Sequence, residues 1–188
     1  DILRPIAAES GASLADVIVI AGSVGLEKAT GQLIPFKPGR GDATQEQTDS
    51  ASFDVLEPIA DAFRNYENKN FVYNAAEVML DKAQLLGLTA PEMTVLIGGM
   101  RSLGISFDGT GILTDNPNIL SNDHFEKLLD SDNEWSPVGD GTYQSTSRSS
   151  GKSNFKASKV DLVFGSNSQL RALAEFYAQN DSKDRFVE

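Results

Sequence analysis

Leu88-Thr89-Ala90-Pro91-Glu92-Met93-Thr94-Val95-Leu96-Ile97-Gly98-Gly99-Met100-Arg101 is the stretch on which the fold turns. It opens with the chemistry of a helix start. Thr89 can accept from a backbone N–H in the first turn, Pro91 sits where a missing N–H costs little, and Glu92 can reach back to the N–H of Thr89. The spacing predicts a helix through Met93, Leu96 and Ile97 that ends near Gly98 or Gly99. Just upstream, residues 74–86 carry Ala76, Met79, Leu80, Ala83 and Leu86 on one helical face, and Gly87 stops them. Phe53, Leu56, Ile59, Ala60 and Phe63 recur at helical spacing and predict a short helix, with Pro58 limiting its N-terminal extent. Residues 31–48, with Pro35, Pro38 and Gly39-Arg40-Gly41, read as loop.

Further out, Ser13-Leu14-Ala15-Asp16 marks a second helix start, and the continuous apolar residues after it predict a buried helix over 14–29. The β-branched run Val17-Ile18-Val19-Ile20 could equally open a strand. Residues 122–129 and 168–179 supply further helical patterns, the second through Leu170, Leu173, Ala174 and Tyr177. Residues 136–158 are rich in Ser, Thr and Gly and read as one small exposed β-hairpin or an irregular excursion. The expected fold class is therefore mainly α with one small β-hairpin, built as a single domain over residues 1–188.

Composition narrows the chemistry. The chain has 188 residues, and 27 Asp plus Glu against 16 Lys plus Arg give a net charge of −11, which repels nucleic-acid backbones and anionic lipid surfaces. No apolar run approaches the ~20 residues of a membrane span. The absence of Cys excludes disulfides and thiolate zinc sites, and a single His excludes histidine pairs on a metal. Asp1 and the residues after it lack a signal-peptide pattern, so the chain is expected to be cut from a longer one or already processed.

Several short motifs suggest chemistry, each with a structural alternative. Gly22-Ser23-Val24-Gly25, with Asp42 further on, partly matches a dinucleotide fingerprint, but its first Gly is missing and helix packing explains the glycines. Gly98-Gly99 and Gly104 could form a phosphate loop or a helix terminus. Arg40-Gly41-Asp42 matches an adhesion tripeptide, and Asn180-Asp181-Ser182 a glycosylation sequon. His124 could be oriented by Asp123 or Glu126 as a base or ligand, but a lone His reads as a surface or half-buried helix residue. Trp135 reads as a core anchor.

Four stretches together are more specific: Leu14 through Gly22, Pro35 through Asp42, Leu88 through Leu96, and Asp161-Leu162-Val163-Phe164-Gly165-Ser166-Asn167-Ser168. With Gln45-Glu46-Gln47-Thr48-Asp49 and Leu56-Glu57-Pro58-Ile59-Ala60-Asp61, the chain closely resembles the haem-free C-terminal domain of bacterial-type catalase-peroxidases, in the class I haem peroxidase superfamily. The resemblance implies a haem-peroxidase-like helical fold that is partial here, lacking the upstream distal helix. It also implies a parent protein whose N-terminal domain binds haem b and oxidises with hydrogen peroxide.

In an active domain of that family the iron is held by a His that is hydrogen-bonded to an Asp near a Trp. The resemblance lays Arg101 over the His, Leu113 (in Leu113-Thr114-Asp115-Asn116-Pro117) over the Trp, and Asn167 over the Asp. Arginine has no lone pair for iron, and asparagine lacks the carboxylate charge that makes an imidazole ligand basic.

The expectation is therefore a pseudoenzyme domain, not an enzyme by itself, with no catalytic, cofactor-binding or metal residues of its own. Its partner would be the N-terminal haem domain of the parent protein, or the subunits of a larger complex, in a cytoplasmic setting or alternatively a plastid or other organelle. Two other readings stay open: nucleotide or small-molecule binding through the glycine turns, and residual haem peroxidase or catalase activity as part of the intact parent.

Overall fold

The computed structural model describes residues 2–139 and 141–187. The chain folds as two compact units, Asp1–Glu57 and Pro58–Glu188.

The first unit begins with helix α1 (Leu3–Ser10), which Gly11 ends in the left-handed region at φ 68°, and α2 (Leu14–Thr30) follows. Ser13 caps α2 by accepting the Asp16 N–H at 3.1 Å, and Gly31 (φ 72°) closes it, so the helix-start reading holds and the strand alternative does not. The expected burial does not hold: Asp16 and Val17 are buried, whereas Ile18 is 53% and Val24 54% exposed. Within this unit the short α1 and a Pro/Gly loop pack on α2, and they are too small to cover 17 residues of helix. After the loop come two 3-10 turns and α3 (Phe53–Leu56). The helix expected through Phe63 stops before Pro58, because the residue preceding a proline is driven out of the helical region, and Glu57 takes ψ 124°.

In the second unit a two-residue ladder, β1 (Ala60–Asp61) with β2 (Tyr66–Glu67), replaces the rest of that helix. Helix α4 (Ala75–Leu85) is capped by Asn74. Helix α5 (Ala90–Ser102) has the full capping box of Thr89 and Glu92 that its sequence predicts. It does not end at Gly98 or Gly99. Both glycines are interior, because a Cβ on Gly98 would lie 2.5 Å from the Phe125 ring, and one on Gly99 3.1 Å from Leu120. Their signal was packing rather than termination.

Helix α6 (Asp123–Leu129) and α8 (Ser168–Tyr177) lie close to their predicted positions. Helix α7 (Lys159–Ser166), begun by a Ser158/Asp161 capping box, and α9 (Lys183–Val187) were not predicted. The expected hairpin is a three-stranded antiparallel sheet in the order β3 (Asn133–Gly139), β4 (Thr142–Ser147), β5 (Ser153–Ser158). The added strand begins earlier than predicted because Trp135 packs its ring against the core, while Pro137 hides the pattern and is tolerated at a sheet edge. The mainly α class stands, with nine helices among the described residues. None of these is long and apolar enough to cross a membrane.

The core of this unit joins Met79 and Ala83 of α4, Met93 and Ile97 of α5, Phe125 and Leu128 of α6, Val160 and Phe164 of α7, and Phe186 of α9. Phe125 is its hub, edge-on to Phe164 and Phe186 at 6.0 Å each. Because Phe125 fills the space a side chain at 98 would need, Gly98→Ala is expected to cost about 1–3 kcal/mol by overpacking. Gly165→Ala meets ordinary contacts with Leu128 at 3.8 Å and should change stability little, so urea melts of the two variants give the comparison.

Candidate functional site

Arg101, near the C-terminal end of α5, is wholly buried, and so is Asp161 in the first turn of α7. The guanidinium Nε donates to Asp161 Oδ1 at 2.8 Å, while Nη1 donates to the carbonyls of Phe63 at 2.6 Å and Ile105 at 3.1 Å. Asp161 Oδ2 accepts the backbone N–H of Ser158 at 2.8 Å and the Asn65 amide at 3.0 Å, with the Ser158 hydroxyl also at 3.0 Å. That amide also donates to the Thr110 carbonyl at 2.8 Å, and its oxygen lies 2.6 Å from the Ser158 hydroxyl. Asn65 reaches this position from a left-handed backbone, φ 56°. Burial alone would raise the Asp161 carboxyl, but the Arg101 charge, with help from the Ser158 N–H, outweighs it and holds the group ionised below its ordinary range.

Gly111, at φ 87°, lies directly against this pair: a Cβ there would sit 2.5 Å from Asp161 Oδ1 and 2.7 Å from Arg101 Nε. Two residues on, Leu113 is fully buried in the core cluster. The segment is fixed by the Gly111 N–H, which donates to the Lys156 carbonyl of β5 at 2.9 Å.

Asn167 is not part of this arrangement. It is exposed at the start of α8, where its side chain accepts the N–H groups of Gln169 and Leu170 at 3.1 Å each. The carboxylate beside Arg101 is Asp161, which the laying-over of Asn167 missed. The overlooked signal was local: Ser158-Lys159-Val160-Asp161 before an apolar run is a capping box, and it fixes where α7 starts and which way its third residue faces.

His124 is the second difference. The ring is fully buried on α6, edge-on to Phe125 at 5.2 Å, rather than at or near the surface. Neither ring nitrogen has a hydrogen-bond partner; the Gly111 carbonyl is close enough to favour a proton without meeting hydrogen-bond geometry. Burial is the largest influence and lowers the imidazole to about 4; Asp161 opposes this and Arg101 adds to it.

The other candidates resolve into structure. Gly22 and Gly25 are interior to α2 with open space around them, in a helix rather than a strand-to-helix turn. Asp42 caps α2, its two oxygens accepting the N–H groups of Leu14 and Ala15 at 2.8 Å each. Arg40 is tied to Asp16 at 2.9 Å, and Asp16 also accepts the Gly39 N–H at 2.7 Å, so both charges of the adhesion tripeptide are engaged. The Gly39 N–H, then Arg40, holds the Asp16 carboxyl below its usual range. Ser182 of the sequon is buried in a 3-10 turn. A separate ion cluster joins Asp61 to Lys82 at 2.7 Å and Arg64 at 2.5 Å; burial raises that carboxyl, and the two cations bring it below its ordinary range.

These residues do not fit a haem. Arg101 presents a guanidinium whose Nε and Nη1 are already bonded within the core, and no guanidinium nitrogen offers a lone pair to iron. Among the described residues no three His, Cys, Asp or Glu side chains gather as a metal site.

A buried ionic pair at the junction of α5 and α7, closed over by a glycine loop, is the centre of a helical domain whose sequence matches the family described as Peroxidase over residues 1–180, and the chain belongs to that family. Its relatives include the catalase-peroxidase of Vibrio cholerae serotype O1, 56% identical over 193 residues. Those of Paracoccus denitrificans and, as catalase-peroxidase 1, Shewanella amazonensis are each 54% identical. The matches cover 99–100% of this chain and 27% of each relative. The matched portion is the C-terminal part of those proteins.

Proposed function

We propose that this chain is a non-catalytic peroxidase-like domain that packs against and orders the haem-bearing part of a catalase-peroxidase. The observation that carries the reading is the engagement of Arg101 with Asp161 at the place where an active relative would present its iron-ligand His to a carboxylate. The constellation keeps its carboxylate, in Asp161 rather than at Asn167, and replaces both the ligand and, at Leu113, the aromatic residue. On this reading residues 1–188 act as one domain, haem b resides in the partner, and peroxide chemistry takes place there. The apolar residues exposed on α2, including Ile18, Ile20 and Val24, support association, because a helix apolar on all sides is ordinarily enclosed.

The test mixes the purified chain with the haem-bearing portion of the Vibrio cholerae relative, prepared without its own C-terminal part. The expected result is a stable complex in which catalase and peroxidase turnover rises, while the chain alone, titrated with haem, develops no histidine-ligated absorption between 350 and 450 nm. A histidine-ligated spectrum from the chain alone, or failure to associate with the haem portion, would overturn the reading.

A further inference from the structure

His124 is the one histidine of the chain, and it lies in the core with no solvent exposure and neither nitrogen hydrogen-bonded. As a neutral ring it leaves one donor and one acceptor unsatisfied, a cost without any buried charge. As an imidazolium it would bury two unpartnered donors and a unit charge, a far larger one.

The surrounding charges do not relieve that cost. From α7 comes Asp161, which attracts a charged ring, and from α5 comes Arg101, which repels it; the Gly111 carbonyl also favours a proton but makes no formed hydrogen bond to the ring. Asp161 is not free to turn toward a new cation, since Oδ1 holds Arg101 and Oδ2 holds Ser158 and Asn65. On α6 itself, Asp123 accepts the Thr114 hydroxyl at 2.7 Å and Glu126 faces Lys183 of the C-terminal segment at 3.4 Å. The packed helix therefore accommodates a protonated ring only at a cost that lowers its titration to about 4.

We propose that His124 is an acid-operated release for α6: the ring takes up a proton only when α6 lifts out of the core, so mild acid loosens the packing around Phe125 while the buried Arg101–Asp161 pair is still ionised. This inference stands apart from the supporting role proposed above and needs no partner. The sign follows from linkage. The lifted helix titrates near the ordinary histidine value of 6.5 and the packed one only near 4, so between those values the open form binds the extra proton and gains about tenfold in population for each unit of falling pH. Above that window the release is shut, and below it there is no further gain.

Because the chain has one histidine, its ring signals in an NMR titration belong to one residue. The experiment follows those signals and the hydrogen-exchange protection of the α6 amides from pH 7.5 to 4.5, corrected for intrinsic exchange and referred to the α4 amides. The expected result is a ring that stays neutral in the packed state, with α6 protection falling about tenfold per pH unit below 6.5. In His124→Phe the α6 protection should not vary with pH over the same window. Should that variant fail to fold, the wild-type titration decides the matter. A ring that titrates near 6.5 with α6 still protected, or α6 protection that does not respond to pH in the wild type, would overturn the proposal.

Discussion

Asp161→Asn is expected to destabilise the second unit by about 3–5 kcal/mol, since it strips the counter-charge from a guanidinium that has no access to water. Arg101 is fixed at three points, so it cannot swing to the surface to recover its hydration. The substitution keeps the volume of the carboxyl, so the loss reports the missing charge and an amide N–H₂ turned against a donor, and not a cavity. For a chain of this size each kcal/mol corresponds to roughly 2–4 °C, which places the fall in melting temperature at about 6–20 °C. The double variant Arg101→Met/Asp161→Leu should recover most of the loss, because removing both charges leaves neither one uncompensated. Urea melts of the three proteins check this, and an Asp161→Asn protein within about 1 kcal/mol of the parent would mean that the pair is weak or hydrated.

Gly111→Ala is expected to be comparably severe, at about 3–5 kcal/mol, and for two separable reasons. A backbone at φ 87° disfavours any side chain, which costs about 1–3 kcal/mol. The methyl group would also strike both Asp161 oxygens and Arg101 Nε, atoms that cannot yield without breaking the pair. Gly109→Ala isolates the first contribution, because Gly109 has nearly the same φ, 84°, with nothing within 4 Å of its Cβ position. Equal melting temperatures for the two variants would show that the loop can move off the ionic pair, contrary to the close packing described here.

The contrast between what the sequence reveals and what it conceals follows from the range of the forces involved. The starts of α2 and α5 were legible because caps are local: Ser13, Thr89 and Glu92 satisfy backbone groups within a turn of themselves. The end of α5 was not, because Gly98 and Gly99 are small for the sake of Phe125 and Leu120, partners far away in sequence. Likewise Arg101 stood out by resemblance, but its counter-ion is 60 residues distant, and only the structure distinguishes Asp161 from Asn167. His124 was hidden by its neighbours. Between Asp123 and Glu126 it belongs to a segment that looks solvated, and a seven-residue helix is too short for its periodicity to reveal an inward face. The burial expected of α2 rested on composition, which reports a helix's need for cover but not which surface meets that need.

The three-stranded sheet has β3 and β5 as its outer strands, and apart from the bond from the Gly111 N–H to the Lys156 carbonyl of β5 neither margin pairs with a further strand among the described residues; its sequence deals with the hazard this creates. An open strand offers a row of unpaired amides and carbonyls to any other extended chain, so such edges seed self-association unless they are spoiled. Here β3 carries Pro137, which lacks an N–H to offer, and its register breaks between Pro137 and Gly139. On the opposite side β5 places Lys156 in the strand, and its pairing with β4 slips between Gln144 and Thr146. Each margin thus combines a defect in its ladder with a residue that a newcomer strand would find costly to match. The margins of the sheet can therefore meet other chains without becoming a template for aggregation, and Pro137, which obscured the strand in the sequence, is part of that protection.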